Sequence, residues 1–265
     1  MIRLLTALMI VAGLMFAAAP AMADWDQTQG WKMHFPQMPN PNGWDVNFMD
    51  PKIVADDWEC IETGYVEDIH FWMSSYHDMP CEIENIHVSI HKDIPAGTDQ
   101  IPYSRPGSLE WERDFGPNQF TVRDWDVGNQ GWFDPNFGEM EPDNHQQIFQ
   151  VNIAGIDDPY VQEQGNIYWL DLSLKGDLVQ QPMLGWKTSN EHFMDWPVFR
   201  DDFAGGTTEW QLLTANTPFP PDILGGDMAF VINGNPVPEP GTLVLTAAGL
   251  LGLAGFAAWR RRKKA

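Results

Sequence analysis

Basic residues are scarce in this 265-residue chain: 15 Lys and Arg stand against 37 Asp and Glu. Six of the cations sit in the terminal segments, at Arg3, Arg260, Arg261, Arg262, Lys263 and Lys264, whereas Glu239 is the one acid there. The stretch between them therefore carries nine cations and 36 anions, a net charge near −27. Nucleic acid and anionic bilayers are polyanions and are excluded as partners of such a surface. Disorder is excluded too, because 13 Trp and 15 Phe supply a real core. Cysteine is nearly missing, with Cys60 and Cys81 alone. Their spacing excludes a Cys-x-x-Cys redox or zinc site. In an oxidising compartment the two would form a disulfide, closing a loop of about 20 residues and stabilising by roughly 3 kcal/mol. Two unpaired buried thiols are the alternative. Catalytic signatures are absent as well: there is no Gly-x-Ser-x-Gly, no His-Glu-x-x-His and no phosphate loop. With so many acids, some carboxylate pair always meets glycosidase spacing, so that pattern carries no information. The chain is expected not to be an enzyme.

Long hydrophobic runs are also missing, except at the two ends. Residues 1–23 have Arg3 as a positive start, an apolar core over 4–18, and Ala21-Met22-Ala23 as a small-x-small cleavage site. They read as a secretory signal helix for signal peptidase, which leaves Asp24 as the first mature residue. At the other end, residues 241–259 hold no charge, and as a helix 19 residues span about 28 Å, close to a bilayer core. Trp259 suits the interface, and the five cations after it stay in the cytoplasm, so the body lies outside. Val237-Pro238-Glu239-Pro240 precedes this span. The order of Pro-Glu-Pro, small-residue span and basic run over residues 237–265 resembles the bacterial PEP-CTERM sorting signal. That resemblance implies that Pro238, Glu239 and Pro240 are recognised by an exosortase, a transpeptidase-like membrane enzyme. It also implies that the span is removed when the protein is sorted to the exterior. Physically, two prolines hold the segment extended and remove two amide donors, which suits entry into a protease-like cleft.

Helical periodicity is absent between those ends, and the apolar period is two. Ile69, Phe71 and Met73 share a face, Ile86 to His91 alternates strictly, and residues 119–122, 148–153, 167–174 and 228–232 continue the pattern. Residues 109–113 and 209–213 are weaker candidates. Residues 128–145 and 175–188 read as long loops. Each run is short and bounded by Gly, Pro, Asn or Asp. The expectation is all-β: a single antiparallel β-sandwich of jelly-roll type over residues 43–235, after an irregular leader at 24–42 and before a sorting tail at 236–265. Gly43-Trp44-Asp45-Val46, Ala55-Asp56-Asp57-Trp58, Ile69-His70-Phe71-Trp72, Ser89 to Pro95, Tyr168 to Asp171, Gly185 to Ser189 and Met228-Ala229-Phe230 occur in this order. Together they resemble an uncharacterised domain that recurs in exported bacterial proteins with this tail. No activity follows from that likeness.

Three sets of side chains could carry chemistry. His87 and His91 share a strand face but lie about 13 Å apart, too far for one metal unless the chain bends. With His70 on a neighbouring strand, a two-His metal site completed by Asp68 is a further candidate. Asp124-Trp125-Asp126-Val127-Gly128-Asn129 starts like a calcium loop, but its glycine is misplaced and Pro135 stands where the bidentate Glu belongs, which excludes an EF-hand. Irregular calcium sites would draw on Asp56, Asp57, Asp124, Asp126, Asp157 or Asp158. Trp125, Trp132, Trp186 and Trp196 fall in expected loops and are the candidates for stacking on sugar rings, whereas Trp58, Trp72 and Trp169 read as core. The expected function is an exported cell-surface or extracellular-matrix protein with a structural or binding role, with extracellular polysaccharide as a candidate partner. The alternative is a carbohydrate-binding module or a carbohydrate-active enzyme.

Overall fold

The computed structural model describes residues 24–80, 82–136, 138–176, 183–201, 209–213 and 226–236. The signal segment with Ala21 and Ala23 lies outside these residues. So do Cys81 and the tail with Pro238, Glu239, Pro240 and the 241–259 span. The described chain is all-β, with fourteen strands and two single-turn 3-10 helices, Tyr76–Asp78 and Thr98–Gln100. Among the described residues no helix is long and apolar enough to cross a membrane.

The strands are β1 (Trp44–Asn47), β2 (Lys52–Glu59), β3 (Gly64–Val66), β4 (Asp68–Ser75), β5 (Ile83–Ile94), β6 (Arg105–Phe115) and β7 (Thr121–Asp134). They continue as β8 (Glu139–Ile153), β9 (Tyr160–Gln162), β10 (Ile167–Gly176), β11 (Leu184–Lys187), β12 (Val198–Asp201), β13 (Gln211–Leu212) and β14 (Phe230–Asn233). One six-stranded sheet runs β13-β12-β2-β10-β5-β6, with every pair antiparallel. The other runs β11-β1-β7-β8-β4-β14, and β3 pairs with β9 alone. The second sheet departs from the expected purely antiparallel sandwich in two ways. Its β1–β7 pair is parallel, with Asp45 opposite Trp132. It also closes on itself, because one edge of β4 takes β14 along its first half and β11 along its second. Strands β11, β1, β7, β8 and β4 thus form a five-membered ring. Two six-stranded sheets with such a ring differ from the two four-stranded sheets of a jelly roll.

The period-two runs form strands where the sequence places them, and their apolar faces meet between the sheets. Phe71, Met73, Phe230 and Ile232 from one sheet join Val54, Trp58, Leu170, Leu172, Val88 and Ile90 from the other in one buried cluster. The expected loop at 128–145 is instead the tip of a long β7–β8 hairpin. Gln130 to Asp134 of β7 is buried on both faces and Glu139 to Asn144 of β8 is mostly exposed, so neither shows the apolar alternation that marks a half-buried strand. Likewise the expected loop at 175–188 contains the end of β10 and all of β11. The irregular leader has no strand of its own, yet it packs tightly. Trp25 is 1 % exposed and Met33 fully buried. Trp25 sits edge-on to Trp72 at 6.0 Å, covering the face of β4 that points away from the core.

Candidate functional site

A cavity of about 440 Å³ opens at the end of the sandwich where β4 stops and β5 starts. Met73, Phe120, Phe149, Ile83 and Leu184 wall it, and Ser75, Asp78 and Gln147 supply its polar atoms. The strand alternation makes this wall: Met73 and Ser75 follow Phe71 on the core face of β4, and Met73 lies opposite Phe149 of β8. The rim is the turn after β4. Both carboxylate oxygens of Asp78 accept the Gln146 amide, and one also accepts the Gln147 amide at 2.9 Å, which pins the turn to β8. His77 and Asp78 both hold positive φ there, at 56° and 53°. Met79 and Val122 remain exposed at the mouth. An apolar chamber with a few fixed polar groups has the composition of a ligand pocket. The period-two pattern marks Met73 and Phe149 in the sequence as core-facing. It gives no sign that the packing around them leaves a void.

A second concavity, about 370 Å³, is lined by Gln27, Trp31, Phe35, Pro36, Met38 and Glu191. Trp31 is exposed. Behind this groove the His34 ring stacks on Phe193 at 3.7 Å. Burial drives the His34 imidazole down to about 3, so it is neutral at ordinary pH.

The expected sugar-stacking residues distribute differently. Trp132 and Trp186 are buried, and Trp186 Nε1 donates to the Ala229 carbonyl. Trp125 packs edge-on to Trp72, and Trp196 stacks on His192 at 4.1 Å. Trp186 and Trp132 looked like loop residues because the strands holding them, β11 and the end of β7, carry no long alternation. Trp58, Trp72 and Trp169 are buried as expected.

The histidines also separate. His87 lies 3.1 Å from Asp114, His91 Nε2 lies 2.8 Å from Asp171, and His70 Nδ1 lies 2.7 Å from Asn152. The proposed calcium ligands do not converge. Asp124 and Asp126 lie exposed on β7, Asp157 and Asp158 in the loop after β8, and Asp56 and Asp57 are buried in β2. Among the described residues no group of three or more His, Cys, Asp or Glu is arranged to hold a metal ion.

Asp56 belongs to a buried cluster that sequence spacing could not reveal. Its carboxylate accepts the Gln37 amide at 3.0 Å and the Met228 backbone N–H at 2.7 Å. Asp227, close by, faces His192 Nδ1 at 2.7 Å. Burial, then the charges of Asp227 and Asp57, hold the Asp56 carboxyl well above the usual range. Burial also lifts Asp227 to about 6 despite its hydrogen bond to His192. On the opposite face of β2, neither oxygen of Asp57 meets a hydrogen-bond partner among the described residues.

Inside the five-strand ring lies a third polar group. Asp45 on β1 stands directly opposite Lys187 on β11. Lys187 Nζ donates to Asp45 Oδ2 at 2.9 Å, and His145 Nε2 on β8 lies 2.9 Å from the same oxygen. All three side chains have no exposure at all.

Cys60 carries a free, buried thiol that donates to the Glu62 carbonyl at 3.3 Å. The Cys60 amide donates to Asn166, just before β10, whereas Ile83 pairs with Gly176 at the far end of β10. The disulfide expected with Cys81 rests on a residue outside those described.

Two family models match the chain. One, described as Domain of unknown function (DUF7901), covers residues 33–233, and the other, the PEP-CTERM protein-sorting motif, covers residues 236–263. No curated protein and no solved structure matches it.

Proposed function

The chain belongs to the family described as Domain of unknown function (DUF7901) and carries a PEP-CTERM protein-sorting motif, which marks it as exported and sorted by exosortase; from that premise we propose that it works at the cell surface or in the extracellular matrix by binding a small ligand. The 440 Å³ cavity at the end of the sandwich carries this reading. Its walls suit an apolar body, and Ser75, Asp78 and Gln147 suit a hydroxyl, amide or cationic head. The chain's net charge of −22 disfavours an anionic ligand. N-phenyl-1-naphthylamine, an uncharged apolar fluorophore, tests the chamber directly. Saturable enhancement that Val122→Trp at the mouth weakens at least tenfold supports the reading. Enhancement that is absent, or indifferent to that substitution, overturns it.

Carbohydrate binding is the second reading, and the groove around Trp31 favours it. An exposed indole beside Gln27 and Glu191 offers a stacking face next to hydrogen-bonding groups. A glycan array run with and without calcium separates the outcomes. Retained saccharide supports a binding module, released product makes the chain an enzyme, and no signal removes the groove from consideration. For sorting, Pro238, Glu239 and Pro240 are the proposed recognition residues, Ala21 and Ala23 the proposed signal-peptidase site, and residues 241–259 the membrane anchor before processing. Replacing Pro238-Glu239-Pro240 with alanines should leave the tail attached by mass. A tail removed as in the parent chain would sink that assignment.

A further inference from the structure

We propose that Lys187 and Asp45 condense into an intramolecular amide that joins β11 to β1, with His145 carrying the proton. The observation behind it is a buried amine and a buried carboxyl in contact, with an imidazole on the same carboxyl oxygen. Lys187 Nζ and His145 Nε2 each lie 2.9 Å from Asp45 Oδ2, and none of the three side chains reaches solvent. Asp45 Oδ1 has no partner among the described residues, so no donor holds this carboxyl as a fully bound carboxylate.

A plain buried ion pair is the competing account, and it is a poor resting state. Two charges removed from water are stabilised only by excellent geometry and by satisfying every remaining lone pair, and Oδ1 lacks that. Burial depresses the Lys187 ammonium's affinity for its proton, against the pull of Asp45, and so favours the uncharged nucleophilic amine. Moving that proton to the carboxyl gives amine and acid, the two neutral partners of a condensation. The Nζ lone pair then forms a bond to Cγ of Asp45, and the electrons of the carbonyl move to Oδ1. His145 accepts a proton from Nζ and returns it to Oδ2. The Cγ–Oδ2 bond breaks, the Oδ1 electrons restore the carbonyl, and one water leaves. Atoms and charges balance without any oxidant or cofactor. The fold supplies the driving circumstances. The reactants are held at contact distance by cross-strand pairing, which replaces a bimolecular encounter. Amide formation leaves no pair in the dry interior that could return to the charged form, and the water is released to bulk.

Close packing fixes the geometry. A Cβ added to Gly185 would stand 2.7 Å from the Asp45 Cβ and 2.8 Å from the Trp132 ring, so Asp45 and Trp132 both press against the Gly185 backbone. Trp132 in turn lies edge-on to His145, with ring centroids 6.3 Å apart.

The test is peptide mapping of the purified full-length chain after denaturation and trypsin digestion. The expected result is one branched peptide joining the segments around Asp45 and Lys187. It is lighter by one water than its two parts, and cleavage after Lys187 is lost. Two linear peptides with normal cleavage at Lys187 overturn the proposal, and because the unaltered chain is the sample, a misfolded variant cannot mask that outcome. Asp45→Asn should give the same branched mass with ammonia leaving instead of water, whereas Lys187→Arg should give none. His145→Gln should slow linkage by on the order of 100-fold in pulse-labelled protein. Linkage at the unaltered rate would remove His145 from the step.

Discussion

Buried and half-buried ionisable side chains make the stability of this protein depend on pH in two opposed directions. Burial raises the Asp227 carboxyl from 3.8 to about 6. The folded state therefore holds that proton more tightly than the unfolded chain does, and the stability it contributes below pH 3.8 is lost as pH climbs through 6. Asp56 and Asp57, raised further by burial and by neighbouring carboxylates, extend the same trend upward. His34 runs the other way. Its folded value near 3 lies below 6.5, so its contribution is complete above pH 6.5 and fades as acid protonates the unfolded chain. Separating the two requires variants. His34→Gln should melt about 5 °C higher at pH 4 than at pH 7, and adding Asp227→Asn should shrink that gap. A gap unaffected by the second change would refute the carboxyl assignment. At the same scale, burial pushes the Cys60 thiol up to about 11, which makes it a poor nucleophile. A thiol-reactive disulfide reagent should leave Cys60 unmodified in the folded protein and titrate two thiols after denaturation without reductant. Finding none in the denatured chain would establish the bridge to Cys81.

Among the elements, the ring of β11, β1, β7, β8 and β4 departs most from what strand patterning leads one to expect. It closes because β4 offers one edge to two partners in succession, β14 beside Phe71 and β11 beside Met73. Closure brings backbones close together, and Gly185 stands where they meet. Gly185→Ala would set a methyl 2.7 Å from the Asp45 Cβ and 2.9 Å from its backbone carbon. The substitution should therefore destabilise by about 2 kcal/mol in denaturant titration, without changing the surface. A loss below about 0.5 kcal/mol would mean that the ring is looser than its packing indicates. The strands feeding the core were legible because Ile69, Phe71, Met73, Leu170 and Leu172 alternate with residues of other character. β11, only four residues long and entirely buried, offers no alternation to find. The hairpin of β7 and β8 was legible at its base, where Val122 and Val151 pair, and illegible at its tip, where β7 is buried on both faces and β8 is mostly exposed.

Taken whole, the molecule depends on a segment without secondary structure. Residues 24–42 form isolated bridges only, yet they place Trp25 over Trp72 and His70 and bring Gln37 to Asp56. The Arg123 guanidinium and the Gln150 amide both donate to the Trp25 carbonyl. Trp25→Ala should cost about 3–5 kcal/mol in urea unfolding, as a large buried aromatic removed from a packed site does. A change under about 1 kcal/mol would show that the leader is a detachable strap. Composition and the period of two determined that this is an acidic, aromatic-rich β protein, and the Pro-Glu-Pro, apolar and basic order at residues 238–264 determined its export address. Both are local properties, written in neighbouring residues or in the period of two along a strand. The tertiary structure decided which polar side chains meet. Asp45 lies 142 positions from Lys187 and 100 from His145, and one end of the sandwich is left hollow beside Met73 and Phe149. Such encounters follow from sheet order, register and closure, which bring distant strands into contact and which no local pattern encodes.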